Sequence, residues 1–146
     1  MHVLLTGASG FVGNQILLEL RSRGHRVRAT SRSSRESGGD DWVEWAKADF
    51  GANTAPETWS ELVDGVDAVV NAVGIIRETR HSKFQALHSD APRALFQRAA
   101  DAGLRRLVQV SASGVTSESP YEYFTSKSET DEFLSGRGIG TILRPS

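Results

Sequence analysis

Short apolar runs alternate along this chain with longer stretches whose apolar residues recur at helical spacing. The runs near 2–6, 26–31, 43–48, 66–72, 106–112 and 139–144 predict strands, and the stretches near 11–22, 57–63, 84–102 and 120–136 predict helices. Regular alternation of strand and helix implies a parallel sheet covered by helices on both faces, a three-layer α/β/α architecture. Ile16, Leu17 and Leu20 give the first helix its apolar stripe, and Gly24 closes it. Asp101-Ala-Gly103 closes the third helix, and Gly136 with Gly138 closes the fourth. Ser33 to Asp40 is polar and glycine-rich, which predicts a flexible loop. Ile139 to Ser146 reads as a buried strand running into Arg-Pro-Ser. A sheet that stops on a central strand leaves an open edge, so further C-terminal sequence is expected in the protein.

The first apolar run breaks into Thr6-Gly-Ala-Ser-Gly-Phe-Val-Gly13, directly ahead of the first helical stretch. A strand, three spaced glycines and a helix together suit the pyrophosphate of a dinucleotide. Gly7 permits a tight turn, Gly10 lets backbone approach the anion, and Gly13 lets the helix pack close to the sheet. The N–H groups that open the helix, on Phe11, Val12 and Gly13, would then face negative charge, with Ser9 beside them.

Composition narrows the classes. One domain spanning residues 1–146, with 38 % hydrophobic and 24 % charged residues, is ordinary for a globular fold. A net charge of −1 gives no global reason to expect a nucleic-acid partner, and the apolar runs are too short for a membrane span. The N-terminus lacks the pattern of a signal peptide, and the absence of cysteine rules out disulfides and thiol catalysis, which fits a cytoplasmic protein. The histidines at 2, 25, 81 and 88 have no metal-site spacing and are expected at the surface or in turns, and no metal is predicted.

Tyr123 and Lys127 stand one helical turn apart in the fourth helix, so their side chains share a face. An ammonium beside a phenol lowers the phenol's pKa and makes it usable as an acid or base near neutrality. The pair follows a strand that ends in Val110-Ser-Ala-Ser-Gly114, which places the hydroxyls of Ser111 and Ser113 at the carboxyl end of the sheet, where open α/β folds bind ligands.

With these motifs the chain resembles the short-chain dehydrogenase/reductase superfamily, in particular its extended and atypical branches, over essentially its whole length. Thr6 to Gly13 is similar to the branch's cofactor loop, Asn71-Ala-Val-Gly74 to the motif after the fourth strand, Tyr123 with Lys127 to the catalytic pair, and Leu143-Arg-Pro-Ser146 to the sixth-strand motif. The resemblance implies an NAD(P)-binding Rossmann-type, doubly wound domain. It makes Tyr123 the general acid or base, Lys127 the residue that holds the nicotinamide ribose, and Ser113 the partner of the substrate oxygen, with Ser111 shaping the pocket. It places Asp49 and Phe50 at adenine, Ala72, Val73 and Gly74 at the adenosine ribose, and Pro145 beside the nicotinamide. One stretch departs: where extended members carry an asparagine that braces the lysine, this chain has His88-Ser-Asp-Ala-Pro92, so His88 replaces that residue or the relay is altered.

NAD-binding members of this fold place a carboxylate about twenty residues past the glycine loop, to bond the ribose hydroxyls. Here no carboxylate lies between Glu19 and Glu36, and the second strand ends in Thr30-Ser31-Arg32, with Arg35 close behind. The Arg32 guanidinium pairs well with a 2′-phosphate and the Ser31 hydroxyl adds a donor, so NADP(H) is favoured, with NAD(H) possible. The alternative for Arg32 is an ordinary solvated charge, in a stretch that also holds Arg21, Arg23, Arg26 and Arg28. The expected function is hydride transfer at a carbonyl or carbinol carbon of a small molecule, by an oxidoreductase or by an epimerase or dehydratase. The alternative is a non-catalytic redox sensor or accessory subunit, as the resemblance to atypical members implies. In the extended branch the substrate pocket comes largely from C-terminal sequence that these residues do not include. The loop 75–85 leaves the sheet near the expected nicotinamide site and offers Arg77 and Arg80 either to substrate or simply to solvent. The helices 84–102 and 120–136 are candidates for a homodimer surface.

Overall fold

The computed structural model describes residues 1–33 and 41–146; residues 34–40, with Arg35 and most of the predicted polar loop, lie outside the described residues. Six strands, β1 (His2–Thr6), β2 (Arg26–Ser31), β3 (Val43–Lys47), β4 (Ala68–Asn71), β5 (Arg106–Val110) and β6 (Thr141–Leu143), pair in parallel in the order β3-β2-β1-β4-β5-β6. The helices are α1 (Phe11–Ser22), α2 (Ser60–Val63), α3 (Ala91–Asp101) and α4 (Glu122–Gly136). From β1 the chain winds outward to β2 and β3, then crosses back to β4 and winds the other way. That reversal opens a crevice at the carboxyl ends of β1 and β4, the switch point of a doubly wound sheet.

Adjacent residues of a strand face opposite sides, which gives the sheet two cores. Leu4, Val69 and Leu107 pack with Trp59, Leu95, Phe96 and Leu134 beneath α2, α3 and α4. Leu5, Val27 and Ala29 pack with Leu17 beneath α1. Leu4, Leu5, Leu95 and Phe96 have no exposed surface, and burial of each contributes about 1.5–3 kcal/mol. The expected layers are therefore present, with α1 covering one face among the described residues.

The predicted elements hold in order and type, with local differences. The second helix begins as a 3-10 turn, Pro56–Trp59, because Pro56 fixes the first residue and Trp59 is drawn wholly into the core. The third is not one regular helix: a π-helical turn, Gln85–Asp90, precedes α3. Pro92 explains it. Proline has no N–H and its ring crowds the carbonyl four residues back, which is that of His88. The Ala91 N–H turns instead to the Ala86 carbonyl, and the His88 carbonyl accepts the Thr130 hydroxyl at 2.7 Å. Strand β6, expected to be buried, forms an edge of the described sheet with Thr141 and Leu143 exposed, since only β5 pairs with it.

The arginine stretch is not simply solvated. Arg28 is largely buried and donates to the carbonyls of Glu61, Leu62 and Asp64 at the end of α2, while its Nε bonds Glu44 at 3.3 Å. Arg21 lies over the Trp42 ring at 4.9 Å, and Arg23 pairs with Glu19 at 2.6 Å.

Candidate functional site

The glycine loop is built by close approach. Gly7 has φ +74°, and a Cβ placed on it would lie 2.7 Å from the Ala72 carbonyl, so the turn out of β1 packs directly on the chain leaving β4. A Cβ on Gly13 would lie 2.0 Å from the Gly7 carbonyl oxygen, so α1 rests on the turn itself. Gly10 caps α1 with extended backbone and no side-chain hydrogen bond. The first N–H groups of α1 therefore have no side-chain cap. Phe11 is 88 % exposed and Val12 41 %, so their side chains lie at the surface.

Above this loop lies a cleft of about 350 Å3. Gly7, Ser9 and Gly10 line it from the loop, Thr30, Ser31 and Arg32 from the end of β2, Ala48 to Gly51 from the exit of β3, and Ala72 to Ile75 from the exit of β4. Ten expected ligand residues therefore meet here: Gly7, Ser9, Gly10, Ser31, Arg32, Asp49, Phe50, Ala72, Val73 and Gly74. Asp49 accepts the Gly51 N–H at 2.9 Å, the Ser31 hydroxyl donates to the Ser33 carbonyl, and Phe50 is anchored edge-on against Trp59 at 5.0 Å. Phe11, Val12, Gly13, Ser111, Ser113, Tyr123, Lys127 and Pro145 do not line the cleft. The sequence reading missed Thr30, Ala48, Gly51, Ile75, His81, Ser82 and Leu87, which do.

A polar ladder crosses the sheet just below. The Thr6 hydroxyl donates to Asn71 Oδ1 at 2.6 Å, and Asn71 Nδ2 donates to Gln109 Oε1 at 2.8 Å. All three are buried, and their pairing follows the strand register, Thr6 opposite Asn71 opposite Gln109. Asn71 Oδ1 also accepts the Val73 N–H at 3.2 Å, which shapes the turn Ala72-Val73-Gly74 at the cleft. Buried amides so satisfied specify one arrangement, because breaking any member strands a polar group.

Beside Gly74 the cleft meets α4. The Lys127 Nζ lies 3.4 Å from where a Gly74 Cβ would stand and 5.7 Å from the centre of the Tyr123 ring. Lys127 is 4 % exposed, and burial holds its ammonium below the usual lysine pKa, opposed by the charge of Asp131. Tyr123 is caged edge-on by Phe124 at 5.0 Å, His88 at 5.5 Å and Phe84 at 5.9 Å. The structure thus brings Tyr123 and Lys127 together, with Lys127 beside Gly74 at the edge of the cleft. Ser113 is exposed, its N–H bonded to the Pro145 carbonyl at 3.1 Å. The Ser111 hydroxyl turns inward to Asp131 Oδ2 at 2.8 Å, where Arg144 also donates at 3.1 and 2.9 Å. Asp131, one turn beyond Lys127, continues the stripe of α4 from Tyr123, a spacing that could have flagged it.

His88 corrects an expectation: it is 1 % exposed, not a surface or turn residue, because the π-helical turn rotates it inward. Its Nε2 accepts the Ile75 N–H at 3.1 Å, and its Nδ1 lies 3.0 Å from the Ser126 hydroxyl, which donates onward to the Tyr123 carbonyl at 3.3 Å. With Nε2 an acceptor and the Ser126 proton spent, Nδ1 carries the hydrogen and the ring is neutral. Burial, with the Lys127 charge adding to it, lowers its pKa from 6.5 to about 3. An unfolded chain binds a proton here below pH 6.5 that the native state refuses, so acid favours unfolding across that window. Stability should fall by about 2 kcal/mol between pH 6.5 and 5 through this group. Urea unfolding of the parent chain and of His88→Asn at both pH values measures it; equal pH dependence in the two would refute the neutral assignment.

A parallel sheet in this order, with a glycine turn and an open helix end at its switch point, defines a dinucleotide-binding domain of the Rossmann type. The chain belongs to the NAD(P)H-binding family, whose model matches residues 7–146. The resemblance to the extended and atypical short-chain dehydrogenases/reductases is borne out with it. The uncharacterized protein YwnB of Bacillus subtilis is 33 % identical over 92 % of this chain and 64 % of its own. The photosystem II assembly factor Ycf39 of Synechocystis is 27 % identical over 99 % of this chain and 44 % of its own. A short-chain dehydrogenase/reductase superfamily protein from Agrobacterium tumefaciens, solved with bound NAD, shares the fold at TM-score 0.78 and 23 % identity, over 99 % of this chain and 48 % of that one. The chain thus spans less than two thirds of each of these proteins. Among the described residues no helix is long and apolar enough to cross a membrane.

Proposed function

We propose that this chain is the cofactor-binding and catalytic part of an NADP(H)-dependent oxidoreductase, or of an epimerase or dehydratase, acting on a small molecule at a carbonyl or carbinol carbon. One observation carries the reading: the Lys127 ammonium, 5.7 Å from the centre of the Tyr123 ring, stands against Gly74, which lines the glycine-loop cleft. The site fits the cofactor. The α1 N-terminus carries no side-chain cap, which suits a pyrophosphate, and the Lys127 ammonium beside Gly74 suits a nicotinamide ribose. NADP(H), when bound, supplies or accepts the hydride. In the reducing direction the Tyr123 hydroxyl gives its proton to the substrate oxygen as the hydride reaches the carbon, and Ser113 steadies that oxygen. Lys127, buried yet charged, favours the phenolate that remains. Pro145, held to Ser113 through its carbonyl, borders the nicotinamide end. A homodimer would pack through α3 and α4, with the substrate pocket completed by sequence beyond these residues.

Arg32 supports NADP(H) over NAD(H), because it lines the cleft at the end of β2 and makes no ion pair among the described residues, whereas Arg21, Arg23 and Arg28 have structural partners. Titration by nicotinamide fluorescence should show NADPH binding more tightly than NADH. Arg32→Ala should weaken NADPH by about 10- to 100-fold, the loss of a charge-assisted pair, and leave NADH nearly unchanged. Equal losses for both would remove the basis for the preference. A second reading, a non-catalytic assembly or sensor subunit that binds NAD(P), is favoured by Ycf39, an assembly factor similar over nearly the whole chain. It predicts binding without turnover.

A further inference from the structure

The segment between β4 and the π-helical turn is a built turn. Thr79 and Ser82 form an antiparallel bridge, the Thr79 N–H donating to the Ser82 carbonyl at 2.9 Å, and the Thr79 hydroxyl accepts the His81 N–H at 3.2 Å. Glu78 secures the exit: its carboxylate accepts the Phe84 N–H at 2.8 Å and pairs with Lys83 at 3.4 Å. Held this way, the turn carries His81 and Ser82 into the wall of the cleft, while Arg77 and Arg80, the charged candidates of this loop, do not line it. The turn reaches the exit of β3. The His81 carbonyl oxygen lies 4.0 Å from where a Cβ on Gly51 would stand.

A dinucleotide laid across the switch point has its two halves on opposite sides of it. Lys127 and Tyr123 mark one end, beside β4 and β5, so the exits of β2 and β3 receive the other. We infer that the turn 79–82 is the outer wall of an adenine subsite, with His81 and Ser82 contacting the adenine ring rather than the substrate. The assignment rests on the dinucleotide reading above. The chemistry matches: the exposed carboxylate of Asp49 accepts from an exocyclic amine, the Ser82 hydroxyl serves a ring nitrogen, and an imidazole offers a flat face to a flat base. The same loop would thus close over the cofactor while its last residue, Phe84, packs against Tyr123 and His88.

Calorimetric titration of the full chain with AMP and with nicotinamide mononucleotide tests this, using His81→Ala and Ser82→Ala as variants and Arg77→Ala as a control. His81 is exposed, so the substitution should leave the thermal midpoint unchanged. His81→Ala should weaken AMP about tenfold, the scale of a lost stacking contact, and Ser82→Ala by less, with nicotinamide mononucleotide and the Arg77→Ala control unaffected. AMP affinity unmoved by His81→Ala, or a loss confined to nicotinamide mononucleotide, would overturn the assignment. If the unmutated chain binds neither NADPH nor AMP, the dinucleotide reading itself fails, a result visible before any variant is made.

Discussion

Gly13→Ala should lower the thermal midpoint by about 6–12 °C and abolish NADPH binding. The added Cβ would stand 2.0 Å from the Gly7 carbonyl oxygen, and both atoms belong to backbone that has no rotamer to yield. Either α1 lifts off the turn or the turn shifts into Ala72 and Val73, which already lie within 3 Å of a Cβ position on Gly7. Overpacking of this kind costs about 3 kcal/mol or more, which sets the expected fall in midpoint. Either movement also shifts the start of α1 relative to Gly7 and Gly10, which line the cleft. Gly24→Ala is the control. Gly24 has φ +70° but nothing within 4 Å, so its substitution should cost about 1 kcal/mol of strain and leave binding intact. Calorimetric melting with NADPH titration separates the two, and a Gly13→Ala chain that melts and binds like the parent would refute the close packing of α1 on the loop.

Tyr123→Phe should reduce turnover of a carbonyl substrate by about 10²- to 10⁴-fold while NADPH affinity changes less than about twofold. The phenyl ring keeps the edge contacts with Phe84, His88 and Phe124, so the helix and Lys127 stay in place and only the proton donor is lost. Following NADPH oxidation against a panel of small carbonyl compounds provides the measurement, with direct titration for affinity. Retained turnover would place the proton route elsewhere, and a parent chain that binds NADPH but turns over nothing would favour the assembly or sensor reading.

The glycine loop, the Tyr123 and Lys127 pair and the strand-end motifs are legible in the sequence because each is a local pattern, set by spacing within one strand, turn or helix. Ten of the expected ligand residues meet in one cleft for the same reason: they follow the ends of successive strands, and parallel winding brings all those ends to one side. The misses have another character. His88 looks like a surface histidine until Pro92 forces the π-helical turn that buries it against Ile75 and Ser126. Asp131, in an otherwise polar helix, gains its meaning from Arg144 and Ser111 on two other elements. Arg28 reads as one basic residue among several until the end of α2 is laid beside it.

By itself, then, the sequence determined the order and kind of elements, the Rossmann winding and the glycine loop, since hydrophobic period and glycine spacing act through neighbours a few residues apart. Only the tertiary structure decided the protonation of His88, the Thr6-Asn71-Gln109 ladder and the entry of His81 and Ser82 into the cleft. Each of these depends on groups far apart in the chain, whose partners no local pattern encodes and whose free energies appear only once burial removes the water that would otherwise satisfy them.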